Sequence, residues 1–160
     1  MMKLNLKKGE DMNSLEYLKS KQIQFREIVL SEIPKSSEDV VRIYGCPLEQ
    51  VLKTLVFVGS EVIIIVLQGN KKVNIEKLRL IVNDRKIRMA TPEEIKKLFN
   101  KNIGSLDPFI NSEGCIKILD KGIFNMDMVN MGAGVPGIGI EMTIKELKKA
   151  WDGLIEDISQ

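Results

Sequence analysis

Lys53-Thr54-Leu55-Val56-Phe57-Val58-Gly59-Ser60-Glu61-Val62-Ile63-Ile64-Ile65-Val66-Leu67 is the stretch on which the fold turns. Two β-branched runs, Thr54–Val58 and Val62–Leu67, flank a short break that holds a glycine, which is the pattern of a hairpin. The second run is apolar at every position. A strand of that kind has to be covered on both faces, whereas a strand with one wet face alternates. Both runs are therefore expected as central strands with material packed above and below.

The flanks supply that material. Before the hairpin, Asn13 caps a helix with Leu15 and Leu18 on one stripe, and Gln24–Leu30 is extended in character. Ser36 or Ser37 caps a second helix whose apolar face is Val40, Val41, Ile43 and Tyr44, stopped by Gly45. Pro47 opens a short helix, Leu48–Leu52, since proline is tolerated in a first turn. After the hairpin, Asn74 caps a helix carrying Ile75, Leu78, Ile81 and Val82, and Lys86–Ala90 is a short strand. Thr91-Pro92-Glu93-Glu94 is a capping box opening a helix with Ile95, Leu98 and Phe99 inward. Asn100–Asn111 is irregular, Cys115–Leu119 is a strand, and Asp120-Lys121-Gly122 a turn. Met126–Met131 is extended, Gly132–Gly139 is glycine-rich, and Ile138–Met142 is expected as the last strand. Thr143 and Glu146 form a second capping box, opening a final helix that runs through Trp151 to Leu154.

Helices and strands mix throughout, with one hairpin, so a purely parallel sheet is excluded. The expectation is an α/β (α+β) single domain: a mixed, partly closed β-sheet or barrel surrounded by helices. Its 160 residues fit one domain of the usual size, about 100–150 residues. Residues 13–160 are assigned to that domain and 1–12 to a flexible leader, basic at Lys3, Lys7 and Lys8, with Met12 an alternative start. No apolar h-region follows the leader, so it does not read as a signal peptide. No apolar run approaches the roughly 18–20 residues of a membrane span, and a cytoplasmic location is expected.

Composition narrows the chemistry. Histidine is absent, which removes Ser-His-Asp and Cys-His catalysis and any imidazole-ligated metal. The two cysteines, Cys46 and Cys115, are far apart and form no CxxC pair. No metal and no cofactor is expected. The net charge of +2 is too small for a protein that coats nucleic acid, so phosphate contacts should be local. The basic residues Lys71, Lys72, Arg85, Lys86, Arg88, Lys96, Lys97 and Lys101 form a loose mid-chain cluster, mostly a solvated face.

Three places could carry chemistry by other means. Lys53 lies between an apolar helix and a buried strand, where a lysine either snorkels outward or turns its ammonium into a cleft. Gly104-Ser105-Leu106-Asp107-Pro108 can present backbone N–H groups to a polarised oxygen, or be a plain turn. Gly132-Ala133-Gly134-Val135-Pro136-Gly137 lets a ligand approach the backbone, or simply connects a hairpin. Asp120, at a strand end before Lys-Gly, reads first as a turn residue.

The ordered set of motifs resembles the YbaK/prolyl-tRNA-synthetase-associated editing family. Cys46–Phe57 resembles the stretch in which a short helix leads to Lys-Thr and a strand, and Val73–Leu80 the helix after the second strand. Met89-Ala90-Thr91-Pro92-Glu93-Glu94 is similar to the family's next helix start. Ile103–Phe109 resembles its Gly-x-x-x-Pro loop followed by Phe, and Ile118-Leu119-Asp120 its Ile-Asp turn. Met131–Glu141 resembles the glycine-containing hairpin, and Glu146-Leu147 the closing helix; order and spacing agree from Leu15 to Leu154. The resemblance implies hydrolysis of mischarged aminoacyl-tRNA at the 3′-terminal ester, of the Cys-tRNA(Pro) or Ala-tRNA(Pro) kind. A binding module without turnover is the alternative. It implies Lys53 and Gly104 as catalytic residues, with Thr54, Ser105, Pro108, Asp120, Gly132 and Gly134 in contact with substrate. A ribose hydroxyl of the substrate helps to activate the water. The implied partners are the 3′ acceptor end of aminoacyl-tRNA and prolyl-tRNA synthetase. The chain departs from the cysteine-specific branch, which carries aspartate where Gly139 stands, and from the alanine-specific branch, which favours Lys-Asn over Lys53-Thr54. The resemblance thus implies the reaction and leaves the amino acid open.

Overall fold

The hairpin forms where expected. In a computed structural model, which describes residues 13–102, 105–110 and 113–160, β2 (Leu52–Val58) and β3 (Val62–Gln68) pair antiparallel with Thr54 opposite Val66. They are interior strands of a five-stranded sheet, order β4-β2-β3-β5-β8. Its other members are β4 (Arg88–Met89), β5 (Ile116–Asp120) and β8 (Leu154–Glu156). β5 runs parallel to β3, and β8 parallel to β5, so the sheet is mixed. A second, antiparallel sheet has the order β1-β7-β6, from β1 (Arg26–Val29), β6 (Met128–Gly132) and β7 (Ile138–Thr143). An isolated parallel bridge between Val51 and Asn130 joins the two sheets. The result is a mixed α/β domain whose sheets are partly closed on each other.

Every residue of β3 is buried, as its unbroken apolar run requires. Period-two alternation sorts the hairpin's side chains. Phe57, Ile63, Ile65 and Leu67 face α3 (Ile75–Val82) through Leu78. On the other face, Leu52 and Val66 pack against Val129, Met131, Ile140 and Met142 of the smaller sheet. That core also takes in Leu18 of α1 (Ser14–Ser20) and Leu147 of α5 (Ile144–Ala150). Further along the same face, Val56 and Ile64 meet Ile95 and Phe99 of α4 (Pro92–Phe99). Thr54 falls at the seam between these two covers.

The caps follow the sequence signals. Asn13, Ser36, Asn74, Thr91 and Thr143 each accept a first-turn amide, and α2 (Ser37–Tyr44) ends at Gly45 with φ +92. The Thr91–Glu94 box is complete. At α5 only half the box forms, because the Glu146 carboxylate accepts from Gln24 N–H instead. Two expectations are corrected at the ends of elements. The turn after Pro47 is a 3-10 turn, Leu48–Gln50, and Leu52 already belongs to β2. α5 stops at Ala150, Leu154 lies in β8, and the β7 strand is therefore not the last.

Candidate functional site

Lys53 is the second residue of β2, on the face opposite Thr54, at the sheet end where α2 and the β3–α3 connection come together. Its ammonium is half-buried and donates to Gly69 O at 3.4 Å, a long and weak bond. Burial holds its pKa below the ordinary lysine value; Glu38 of α2 opposes the shift and Lys72 adds to it. Thr54 is 8% exposed, and its hydroxyl has no hydrogen-bond partner among the described residues. An unpaired buried hydroxyl costs about 1–3 kcal/mol, so it marks a place where a ligand or water can repay the loss.

Both residues line a cleft of about 620 Å³. Its other walls come from three places. Asn102, Ser105, Leu106 and Pro108 form one side, and Gly132 with Gly134–Ile140 the facing side. Ile33–Glu38, Val40 and Tyr44 close it from the α2 side. The volume is that of an ordinary small-ligand site.

Of the residues singled out from sequence, the cleft lining brings together Lys53, Thr54, Ser105, Pro108, Gly132 and Gly134. Gly104 lies outside the described residues. Asp120 is not in the lining. It is buried, and its Oδ1 accepts from Ile158 N–H at 3.0 Å, which ties the C-terminal segment to the end of β5.

Asn130 and Glu38 also line the cleft and were not singled out. Asn130 is 3% exposed, accepts from the Gln50 amide, and donates to Glu141 Oε2 at 3.0 Å. Glu141 in turn accepts from Tyr44 of α2 at 3.1 Å and from Arg26 of β1 at 2.9 Å. This network pins the end of α2 to the smaller sheet and fixes the Asn130 side chain in one orientation. A polar residue in Met-Val-Asn-Met reads as solvent-facing, and only the α2 segment folded over that face buries it. Glu38, two residues past a capping serine, reads as a helix-dipole acid.

The site offers the Lys53 ammonium, with Lys35 and Glu38 also in the lining, a buried hydroxyl and amide, and backbone polar groups at a glycine turn, set among apolar side chains. Such a constellation acts by holding and polarising a ligand, as in a hydrolase or a binding domain for an already activated substrate. The chain belongs to the aminoacyl-tRNA editing domain family, whose model matches residues 32–150, the range that contains all of these residues. It is similar to proline–tRNA ligases: 36% identical over 100 residues to that of Thermosipho melanesiensis, covering 61% of this chain and 17% of the ligase. To the Staphylococcus aureus enzyme it is 31% identical over 105 residues, 64% of this chain and 18% of the ligase. The chain thus spans less than a fifth of the length of these curated relatives.

Solved structures share the fold. The hypothetical protein APE2540 superposes with a TM-score of 0.84 at 20% identity, over 91% of this chain and 98% of the other. A candidate trans-editing enzyme for prolyl-tRNA synthetase superposes at 0.74 with 23% identity, over 90% and 92%.

Proposed function

We propose that this domain deacylates mischarged aminoacyl-tRNA, acting in trans on the products of prolyl-tRNA synthetase. The observation that carries the reading is that Lys53-Thr54, the Ser105–Pro108 segment and the Gly132–Gly137 turn, distant in sequence, line one cleft in a chain of the editing family. In the reaction, the oxygen of a water molecule bonds to the ester carbonyl carbon. The bond from that carbon to the 3′-terminal ribose oxygen breaks, and the proton ends on the ribose oxygen. Amino acid and uncharged tRNA leave.

Lys53 holds an oxygen of the 3′-terminal nucleotide. Gly104 is assigned the role of offering a backbone N–H to the ester oxygen, where charge develops in the transition state. Thr54, Ser105, Pro108, Gly132 and Gly134 bound the space for the aminoacyl group. Asp120 is outside the cleft lining; its Oδ1 accepts from Ile158 N–H, and its buried Oδ2 has no partner among the described residues. An aminoacyl ester is already activated, so orientation and charge stabilisation suffice without an imidazole or a metal. Among the described residues no helix is long and apolar enough to cross a membrane, and the cytoplasm, where charged tRNA is, is the proposed location.

The test is hydrolysis of a panel of Cys-, Ala- and Ser-charged tRNA(Pro), with Pro-tRNA(Pro) as the cognate control. Release of one or more of the first three, with the control spared, is expected. Tight binding of the panel without release would leave the domain a binding module and overturn the hydrolase.

A further inference from the structure

Asp107 is 2% exposed, although it sits in a cleft-lining loop. Its Oδ1 accepts from Phe109 N–H at 2.9 Å and from the hydroxyl of Ser14, the first residue of α1. Its Oδ2 lies against the glycine turn. A methyl group on Gly134 would stand 2.5 Å from that oxygen and 3.2 Å from Lys101 Nζ. Lys101, just past the end of α4, donates to Gly134 O at 3.0 Å. A carboxylate, an ammonium and the backbone of Gly134 thus meet at one point. Only glycine, here at φ +77, fits there.

The two sides of this point are the two facing walls of the cleft. Ser105, Leu106 and Pro108 belong to one, Gly132, Gly134 and Val135 to the other. Among the described residues, the Lys101–Gly134 bond is the one hydrogen bond that crosses between them. Other backbone bonds there do not cross between the two walls: Ser105 N–H to Asn102 O on one side, and Ala133 N–H to Ile138 O and Ile138 N–H to Val135 O on the other, for example.

A buried carboxyl group is a costly way to hold two loops. Burial raises the Asp107 pKa, opposed by Ser14, the Phe109 amide, Lys101 and Lys117. A neutral side chain of the same shape would serve architecture at lower cost. We infer that Asp107 is a positioning residue: with Lys101 it staples the Ser105–Pro108 wall to the turn at Gly134 and sets the spacing of the two walls that face the aminoacyl ester. The kinetic part of this inference rests on the deacylase reading above; the stapling does not.

Two variants test it. Asp107→Asn keeps the shape and an acceptor for Phe109 but removes the charge facing Lys101. Lys101→Met removes the ammonium from a half-buried position without touching the core. The pKa of Asp107 is higher folded than unfolded, so its ionisation as pH rises lowers stability; the amide escapes that loss. Asp107→Asn should therefore melt at or above the wild-type temperature at neutral pH. In both variants, hydrogen exchange at the Ala133 and Ile138 amides should accelerate about tenfold. On the active substrate, kcat should fall about tenfold while KM stays within about twofold, because ångström-scale misplacement costs rate more than binding. Exchange and kcat matching wild type would overturn the staple. Faster exchange with unchanged kcat would confine it to architecture and overturn the positioning role. If wild type releases no amino acid from any tRNA in the panel, the deacylase reading fails, and the exchange rates alone decide whether the staple exists.

Discussion

Replacing Lys53 with alanine separates a residue built for a ligand from one built for the fold. Among the described residues its ammonium has one acceptor, Gly69 O at 3.4 Å, and burial already disfavours its charge. The folded protein therefore loses almost nothing. A change within about 0.5 kcal/mol is expected, which for a domain of this size moves the melting temperature by under about 2 °C. The substrate loses a charge-assisted hydrogen bond, about 1.5–3 kcal/mol. At 1.36 kcal/mol per decade, kcat/KM should drop by about ten- to a hundredfold. The cleft is open to solvent, so the lower half of that range is expected. Lys53→Arg should recover only part of the loss, since a planar guanidinium does not take the place of a compact ammonium. Single-turnover deacylation of a mischarged tRNA, beside a thermal melt, measures both quantities. A Lys53→Ala variant that turns over as fast as wild type would refute the site; one that unfolds would refute the statement that the lysine is dispensable to the fold.

Thr54→Val keeps the shape but deletes the buried, unpartnered hydroxyl, so thermal stability should rise by about 1–3 kcal/mol while deacylation falls; a lower melting temperature contradicts this. Arg88, and after it the Thr91 amide, hold the Glu94 carboxyl down at about 2, against an ordinary 4.5. A depressed carboxylate stabilises above its unfolded pKa and loses that contribution as pH falls through its folded one. Glu94→Gln should accordingly melt lower at neutral pH and converge with wild type between pH 4.5 and about 2; parallel curves across that window would be the wrong result. With about 3–5 phosphate contacts, tRNA affinity should fall with a log–log salt slope between about −2 and −4.5, and a slope near zero in filter binding would argue against the tRNA partner.

The parts of the fold that were legible in sequence are those fixed by local chemistry. The all-apolar Val62–Leu67 run demanded a doubly covered strand, and the caps at Asn13, Ser36, Asn74 and Thr91 fixed helix starts within a residue. The C-terminal strand was not legible. Apolar spacing carries the helical pattern through Trp151 to Leu154, but Gly153 passes so near β5 that a methyl group there would stand 2.6 Å from Lys117 O. The Trp151 indole then donates to Leu154 O, and the chain continues as β8. That close approach is a tertiary fact with no local signal beyond a single glycine. In the site, Lys53 and the glycine turn could be flagged by residue type, whereas Asn130 and Asp107 owe their burial to segments arriving from elsewhere in the chain.

The strand that anchors the fold also carries a liability before folding is complete. Val62–Leu67 is six consecutive β-prone apolar residues without charge, proline or glycine, the composition of segments that stack into intermolecular cross-β ladders. In the folded domain both neighbouring strands and both faces are taken, so the segment is inaccessible. Its exposure then depends wholly on how often the domain opens, and one of its two partners, β5, comes from far along the chain. Any substitution that raises the opened population, wherever it lies, is converted through this one segment into loss of soluble protein. The solubility of variants therefore reports global stability more sharply than it reports the site each one alters.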